Sequence, residues 1–423
     1  MPARFGWLVA AQFASAIGDN ALLIVAIGLL AQQGLPIWWA PLLRVGFTLS
    51  FVVLAPFVGP LADAFAKGRV MTAMNLLKVL GVALLLCGVH PVAGLAVVGL
   101  GAAAYAPAKY GLVTESVTPA SLVAANGWIE VSVVCAALVG TVLGGWLVSP
   151  ALLASAAAAA LDAALPTQAG ALALSLLLVL LLYVLSSALN LGVPTSGARY
   201  APSSVRLRPL LAAFRRAHAR LWRAAEGSLS LAATAVFWGA GATLQFAVLR
   251  WAQDALGLGL DRAAYLQGAV AVGVMGGAAA AGRWIALRHA RHVLGFGIVL
   301  GLLIPVVAQL DDIVSAALLL MLVGAVGGAM VVPLNALLQH RGHVLLTAGR
   351  SVAVQGFNEN LSVLAMLAVY ALCQGAQWPI RTTLSVFGVL VAAVVAVLVL
   401  AARRRALGLR PAGVAAAVPR QAR

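Results

Sequence analysis

Long apolar segments separated by short polar ones run through almost the whole chain. A helix needs about 20 mostly apolar residues to cross the hydrocarbon core of a bilayer, and the sequence contains twelve segments of this character. They cover roughly residues 6–30, 40–64, 70–89, 92–116, 121–149, 167–191, 228–252, 262–286, 292–310, 313–338, 348–373 and 378–402. The pattern therefore predicts an all-α membrane protein with twelve transmembrane helices.

One long polar stretch divides the predicted helices into two sets of six. It carries seven arginines: Arg199, Arg206, Arg208, Arg215, Arg216, Arg220 and Arg223. Two six-helix bundles with a pathway between them are typical of transporters built from repeats. We expect an N-terminal bundle over 1–191, a basic linker over 192–227, a C-terminal bundle over 228–402 and a basic tail over 403–423. The segment FRRAHARLWRA in the linker fits either a basic amphipathic helix on the membrane surface or a solvated connection.

Composition and charge agree with this interpretation. Of the 423 residues, 63% are hydrophobic and only 9% are charged, whereas soluble domains carry roughly 25% charged residues. The net charge of +16 does not indicate nucleic-acid binding, because the arginines lie between apolar segments and in the tail. Twenty-one of the 27 Lys and Arg residues fall on the side of the membrane that holds the linker. The positive-inside rule therefore predicts that both termini and the linker are cytoplasmic, facing anionic membrane lipids.

Several kinds of site are not supported by the sequence. None of the three lysines follows glycine and precedes Ser or Thr, so no P-loop for ATP is present. The histidines have no zinc-type spacing, and the three cysteines lie inside apolar segments. No nucleophile–base pattern is evident either. We therefore expect no cofactor, no metal and no enzymatic activity.

The segment GPLADAFAKGR, residues 59–69, predicts a gate at the cytoplasmic end of the second helix. It resembles the signature loop of the major facilitator superfamily, which latches the cytoplasmic gate. Gly59 permits close helix approach, and Asp63 is suited to cap the amino terminus of a neighbouring helix. Lys67, Gly68 and Arg69 form the basic turn that follows. We expect Glu115, near the inner end of the fourth helix, to pair with Arg69.

Six ionisable residues are predicted at membrane depth, where a charge costs at least about 2.5–3.5 kcal/mol unless it faces protein or water. They are Asp19, Arg44, Lys78, Lys109, Glu130 and Glu359. Three acids and three bases suggest pairing between helices. For Lys78 and Glu130 an interhelical charge pair and a pathway role are both open. We assign Asp19, Lys109 and Glu359 to the pathway, together with the neighbouring Asn20 and with Gln245 of the seventh helix.

Six segments together resemble the bacterial lysophospholipid transporter family of the major facilitator superfamily. They are AQFASAIGDNALL, APFVGPLADAFAKGRVM, GAAAYAPAKYG, FWGAGATLQF, VVPLNALLQHRG and AVQGFNENLSVL. The resemblance implies an ATP-independent flippase in the bacterial inner membrane, which moves lysophosphatidylethanolamine and related lysolipids from the outer to the inner leaflet. A partner acyltransferase/acyl-carrier-protein synthetase would re-acylate the product. It also implies that Asp19 and Lys109 belong to the polar path that meets the head group.

One departure from the family pattern affects the head-group site. The family tends to carry Arg where Gln245 stands and Gln where Arg44 stands, so the two types are exchanged here. Our hypothesis is that Arg44 supplies the cationic contact for the lipid phosphate, which an Arg fork can hold bidentately. The alternative function is a proton-coupled exporter of drugs or small metabolites, in which Asp19 or Glu359 carries the proton.

Overall fold

The structure, a computed structural model, describes residues 5–35, 39–164, 167–193, 195–198, 200, 206–258 and 260–406. Arg4, Arg199 and the tail beyond residue 406 lie outside these ranges. The first half contains the helices α1 Phe5–Gln32, α2 Trp39–Ala64, α3 Lys67–Leu86, α4 Pro91–Ser116, α5 Leu122–Leu147, α6 Pro150–Leu153, α7 Ala156–Ala164 and α8 Ala173–Leu191. The second half contains α9 Leu207–Arg223, α10 Ala225–Leu256, α11 Leu260–Trp284, α12 Leu294–Ala308, α13 Ile313–Leu345, α14 Ala348–Gly375 and α15 Ile380–Ala406.

The described residues contain twelve helical spans long and apolar enough to cross a membrane, formed by α1–α5, α8 and α10–α15; the span of α12 also includes the 3-10 helix Leu287–Val293 before it. Each span overlaps one of the twelve segments predicted from the sequence, so the predicted all-α membrane fold is confirmed. The alanine-rich connection between the fifth and sixth spans forms the short helices α6 and α7. The linker forms α9, so the helical alternative is the one that the structure shows.

The two sets of six spans have the same order of neighbours. In the first set α1 packs against α5 and α8, α2 against α4, and α3 against α4 and α8. In the second set α10 packs against α14 and α15, α11 against α13, and α12 against α13 and α15. The first, fifth and sixth spans of one bundle thus correspond to the seventh, eleventh and twelfth of the other. This is the internal repeat of a two-bundle transporter.

The perimeter of the bundles is apolar and the interior holds the polar groups. Large hydrophobic side chains such as Val142 and Leu191 are 75% and 77% exposed, as expected where a lipid surface replaces water. Asn75, Lys78 and Glu130 are instead buried. In lipid there is little hydrophobic force between helices, so packing and interhelical hydrogen bonds hold them together.

Local sequence explains where several spans begin. Pro91 occupies the first turn of α4, where a missing N–H costs nothing. The carboxylate of Asp312 caps α13 by accepting a 2.8 Å hydrogen bond from the Ser315 N–H. Because these N–H groups stabilise the anion, the pKa of Asp312 is lowered. Successive spans alternate in direction, so α1 begins and α8 ends on the side that holds α9. We call this the linker side and the opposite one the far side.

Candidate functional site

On the linker side the two bundles share one hydrophobic core. Residues of α4 and α5 such as Leu112 and Ile129 belong to the same buried cluster as Ala278 of α11 and Val332 of α13. On the far side each bundle has a separate cluster, one around Leu22 and one around Trp251. The bundles are therefore closed together on the linker side and parted on the far side.

Glycines and an amide pair hold the closed half together. A Cβ on Gly59 would lie 2.9 Å from the Arg350 Cα, so α2 and α14 meet backbone to backbone as the sequence suggested. Asn126 of α5 and Gln339 of α13 exchange two side-chain hydrogen bonds, of 2.9 Å and 2.8 Å. These buried amides satisfy each other across the interface between the bundles.

Asp63 joins the two bundles on the linker side. Its carboxylate accepts the Gly349 N–H at 3.0 Å and the Thr347 hydroxyl, both at the amino terminus of α14. An anion at this end of a helix is stabilised by the unpaired N–H groups and the helix dipole. The cap suggested by the sequence is therefore present, between α2 of one bundle and α14 of the other.

The partner of Glu115 differs from the prediction. Lys67 forms the ion pair with Glu115, at 2.6 Å, and both side chains are buried. Arg69, the predicted partner, is exposed and forms no ion pair among the described residues. The reason is helix geometry: residues two apart point about 200° apart around a helix. Lys67, at the start of α3, faces α4, where a Cβ on Gly111 would lie 2.9 Å from the lysine Cε.

The segment after α8 also contacts Glu115. Tyr200 donates a 2.6 Å hydrogen bond to this carboxylate, and Ser196 donates another. Partial burial and the bond to Glu115 raise the pKa of the Tyr200 hydroxyl, so the phenol remains a donor. The Lys67 ammonium lies 5.2 Å from the centre of the Tyr200 ring. The segment after α8 thereby contributes to the contacts around the Lys67–Glu115 pair.

In the N-terminal bundle, Asp19 and Lys78 form a buried ion pair. The Lys78 nitrogen lies 2.8 Å from both carboxylate oxygens of Asp19 and 2.9 Å from the Ser15 hydroxyl. The Tyr183 hydroxyl donates to Asp19 at 2.8 Å. Lys78 is thus in an interhelical pair, but its partner is Asp19 and not Glu130. The Asp19 side chain is still 22% exposed, whereas that of Lys78 is 2% exposed.

Lys109 lies in a second polar cluster beside the first. Its ammonium nitrogen donates to the Gln12 carbonyl oxygen at 3.3 Å and lies 4.3 Å from the centre of the Tyr110 ring. Gln12 in turn donates to the Ser132 hydroxyl at 3.2 Å. Lys109 and Glu130 interact electrostatically, although neither forms an ion pair within the described part of the chain. Both residues are buried.

Glu359 belongs to the C-terminal bundle. Its carboxylate accepts a 2.8 Å hydrogen bond from Gln355, which also donates to Asn335. Glu359 also interacts electrostatically with Glu130 across the two bundles. Glu130 thus lies within electrostatic range of both Lys109 and Glu359. Asn20, also predicted here, instead donates its amide to the Ala16 carbonyl oxygen at 2.8 Å within its own helix.

Arg44 and Gln245 lie in the open half. Both side chains are exposed, and each is near the far end of its helix, α2 or α10. Arg44 has no ion-pair partner among the residues the structure describes. The two are separated from the Lys109 group by depth, so the sequence-predicted binding residues do not form one compact site.

Several polar residues of the site were not singled out from the sequence. Gln12 and Ser15 precede Asp19 on α1 by seven and four residues, and this places all three on one helix face. Tyr183 and Asn75 complete the same network. The spacing on α1 was a usable signal, whereas Tyr183 sits in an apolar segment that gives none.

Helix α9 packs beneath the C-terminal bundle. Its Ala217 and Leu221 are buried. Trp222 donates to the Asn358 side-chain oxygen at 3.2 Å, and Phe214 meets Phe357 edge to face at 5.4 Å between ring centres. The linker helix is therefore docked on α14, one turn from Glu359.

Comparisons with protein families and with individual proteins agree with each other. The Major Facilitator Superfamily profile matches residues 8–362. Lysophospholipid transporter LplT of Yersinia pestis (strain Pestoides F) is 40% identical over 366 residues, covering 86% of this chain and 85% of the relative. The same transporter of Yersinia pseudotuberculosis serotype O:3 (strain YPIII) matches equally well.

Solved structures share the fold at low sequence identity. The E. coli fucose:proton symporter has a TM-score of 0.73 and 17% identity, covering 95% of this chain and 98% of the symporter. A bacterial homologue of the iron transporter ferroportin, in an outward-facing state, has a TM-score of 0.69 and 15% identity, covering 96% and 99%. At such identities the likeness concerns the fold alone.

Proposed function

Because the chain belongs to the lysophospholipid transporter family of the major facilitator superfamily, we propose that it moves lysophospholipids between the leaflets of a bacterial inner membrane. The observation that carries the proposal is the 40% identity over most of both chains. The substrate class is lysophosphatidylethanolamine and related lysolipids, taken from the outer to the inner leaflet without ATP. The relatives are transporters, so we propose a carrier and not an enzyme.

The basic residues support a cytoplasmic linker side. The exposed face of α9 carries Arg215, Arg216, Arg220 and Arg223, as expected of a segment that faces the anionic cytoplasmic leaflet. The parted half of the bundles then faces the outer leaflet. In this state the carrier is ready to receive a lipid from the side on which the proposed substrate arises.

The charges of the pathway suit a zwitterionic head group. Arg44, which forms no ion pair among the described residues, supplies a planar cationic donor for the phosphate. Deeper in the protein, Lys109 offers a second cation, and Glu130 and Glu359 offer anions for the ethanolamine ammonium. The charge of Asp19 is balanced by Lys78. We therefore assign Asp19 an indirect role, in which it holds α1 in place and so positions the polar residues near Lys109. The side-chain amide nitrogen of Asn20 is used within α1, and we assign its side-chain carbonyl oxygen to substrate binding.

Alternating access follows from the same geometry. Movement of the lipid to the inner leaflet requires that the Asp63 cap on α14, the Asn126–Gln339 amide pair and the shared core separate while the far side closes. Rocking of one bundle against the other is the mode expected for this architecture. A partner acyltransferase/acyl-carrier-protein synthetase would consume the product, which would make the net movement inward.

The test is uptake of labelled lysophosphatidylethanolamine by spheroplasts with and without the protein, repeated after collapse of the proton gradient. We expect uptake that depends on the protein and survives the collapse. Uptake that stops with the gradient would keep the substrate and make a buried carboxylate, Glu130 or Glu359, a proton site. Absence of lipid uptake would favour the proton-coupled exporter.

A further inference from the structure

A large apolar cavity lies inside the far half of the C-terminal bundle, apart from the charged pathway. It contains about 670 Å³ of space not filled by protein atoms, including its open mouth. The helices α10, α11, α12, α13 and α15 line it. Among the described residues of the lining, Gln245 and Gln267 are the only polar ones.

The cavity is elongated along α10. Its lining on this helix runs from Phe237, near mid-membrane, to Val248, near the far end. Eleven residues of α-helix rise about 16 Å, which accommodates much of an extended fatty acyl chain. Gly241 lies between these ends, and a Cβ built on it would meet no atom within 4 Å. The cavity therefore owes part of its width to an absent side chain.

The two polar residues of the lining, Gln245 and Gln267, lie in the far halves of α10 and α11. The Gln267 side-chain amide donates to the Gln245 main-chain oxygen at 2.9 Å. This bond does not involve the side-chain amide of Gln245, which is exposed. Arg44 lies at a similar depth on α2 of the other bundle. A molecule with a charged head and an apolar tail would thus find both kinds of surface on opposite sides of the open far half.

We propose that this cavity binds the acyl chain of the lysophospholipid while the head group contacts the charged pathway, with Gln245 near the glycerol hydroxyl and ester. The inference rests on the proposed function and adds the site for the tail. An apolar cavity of this kind stays dry and takes apolar ligands. Because the tail leaves a bilayer and not water, the cavity would favour it through packing contacts and not through the hydrophobic effect.

Gly241→Leu tests the proposal because Gly241 lines the cavity and an added Cβ there meets no atom within 4 Å, so the new side chain takes up cavity volume. The matched control is Gly295→Leu on α12, where a Cβ also meets nothing within 4 Å and which lies outside the cavity lining. Uptake of palmitoyl- and octanoyl-lysophosphatidylethanolamine is compared in wild type and both variants. We expect Gly241→Leu to lower palmitoyl uptake severalfold, because the long tail meets the added side chain, and to leave octanoyl uptake near that of wild type.

The outcomes separate the two proposals. If the wild type transports neither lipid, the proposed function fails. If the wild type transports both and Gly241→Leu reduces both equally, or neither, the acyl-chain site is wrong while the function stands. A palmitoyl analogue with a photoreactive group at the end of the tail provides a second test in the wild type. It should label peptides from 237–248 or 320–327, and labelling confined to the perimeter would place the tail in the bilayer.

Discussion

Asp19 and Lys78 are joined by an ion pair in which both carboxylate oxygens lie 2.8 Å from the ammonium nitrogen. The pair ties α1 to α3 in the middle of the N-terminal bundle, and Tyr183 of α8 adds a third helix through its hydroxyl. Two opposite charges buried together avoid most of the cost that each would have alone in a membrane. The first and third helices are therefore held in register by charge.

Removing one member of this pair should destabilise the protein strongly. In Lys78→Met the carboxylate of Asp19 loses its counter-charge in a largely buried place, which costs about 3–5 kcal/mol. Thermal unfolding in detergent should show the loss. The double variant Lys78→Met/Asp19→Asn should recover most of it, since no unpaired charge remains. Equal instability of single and double variants would mean that the pair is not the source of the effect.

Loss of the Asp63 charge should shift the carrier away from the state open on the far side. Asp63→Asn keeps the shape but weakens the anionic cap on α14, an effect of about 1 kcal/mol, or roughly fivefold in the population ratio. Spin labels at Gly145→Cys and Gly268→Cys, where added atoms meet nothing within 4 Å, report the far-side separation in a variant lacking native cysteines. Shorter distances should become more populated.

Asp312→Asn is the control for this measurement. Asp312 also caps a helix, α13, but at its far end and within the same bundle. The substitution should leave the distance distribution between the labels unchanged. A shift as large as that of Asp63→Asn would show that cap loss in general, and not the contact between bundles, moves the equilibrium.

Lys67 and Arg69 should differ sharply when each is replaced by methionine. Lys67→Met leaves Glu115 buried without its cation and should lower the free energy of unfolding by about 3–5 kcal/mol. Arg69→Met removes an exposed charge and should change it by less than about 0.5 kcal/mol. Chemical unfolding of both variants measures the difference. A larger effect from Arg69→Met would restore the pairing that the sequence suggested.

Arg44→Gln should lower the affinity for lysophosphatidylethanolamine about tenfold, because a charge-assisted hydrogen bond to phosphate contributes roughly 1.5–3 kcal/mol. Concentration-dependent uptake in spheroplasts measures the change. If Arg44 and Gln245 exchange roles within the family, Arg44→Gln/Gln245→Arg should recover part of the affinity. Full transport by Arg44→Gln alone, with no gain from Gln245→Arg, would remove any functional meaning from the exchange.

The sequence was sufficient for the spans but not for the pairings. Twelve apolar segments are long enough to identify individually, and the buried charges stand out within them. Which charge meets which depends on helix rotation and on neighbours distant in the chain. Lys78 reaches Asp19 across 59 residues, and a spacing of two separates the buried Lys67 from the exposed Arg69. The acyl cavity leaves no pattern at all, because five helices each contribute apolar residues that look like ordinary core.

The matching neighbour order of the two bundles shows how differently equivalent interiors can be used. The helices α10, α12 and α15 around the cavity correspond to α1, α3 and α8, which meet at the Asp19–Lys78 pair. One architectural position thus contains fixed charge in the first half and empty volume in the second. In a duplicated fold of this kind, the two repeats can serve different functions. Substitutions that adapt it to a new tail length can accumulate in one half without disturbing the charges of the other.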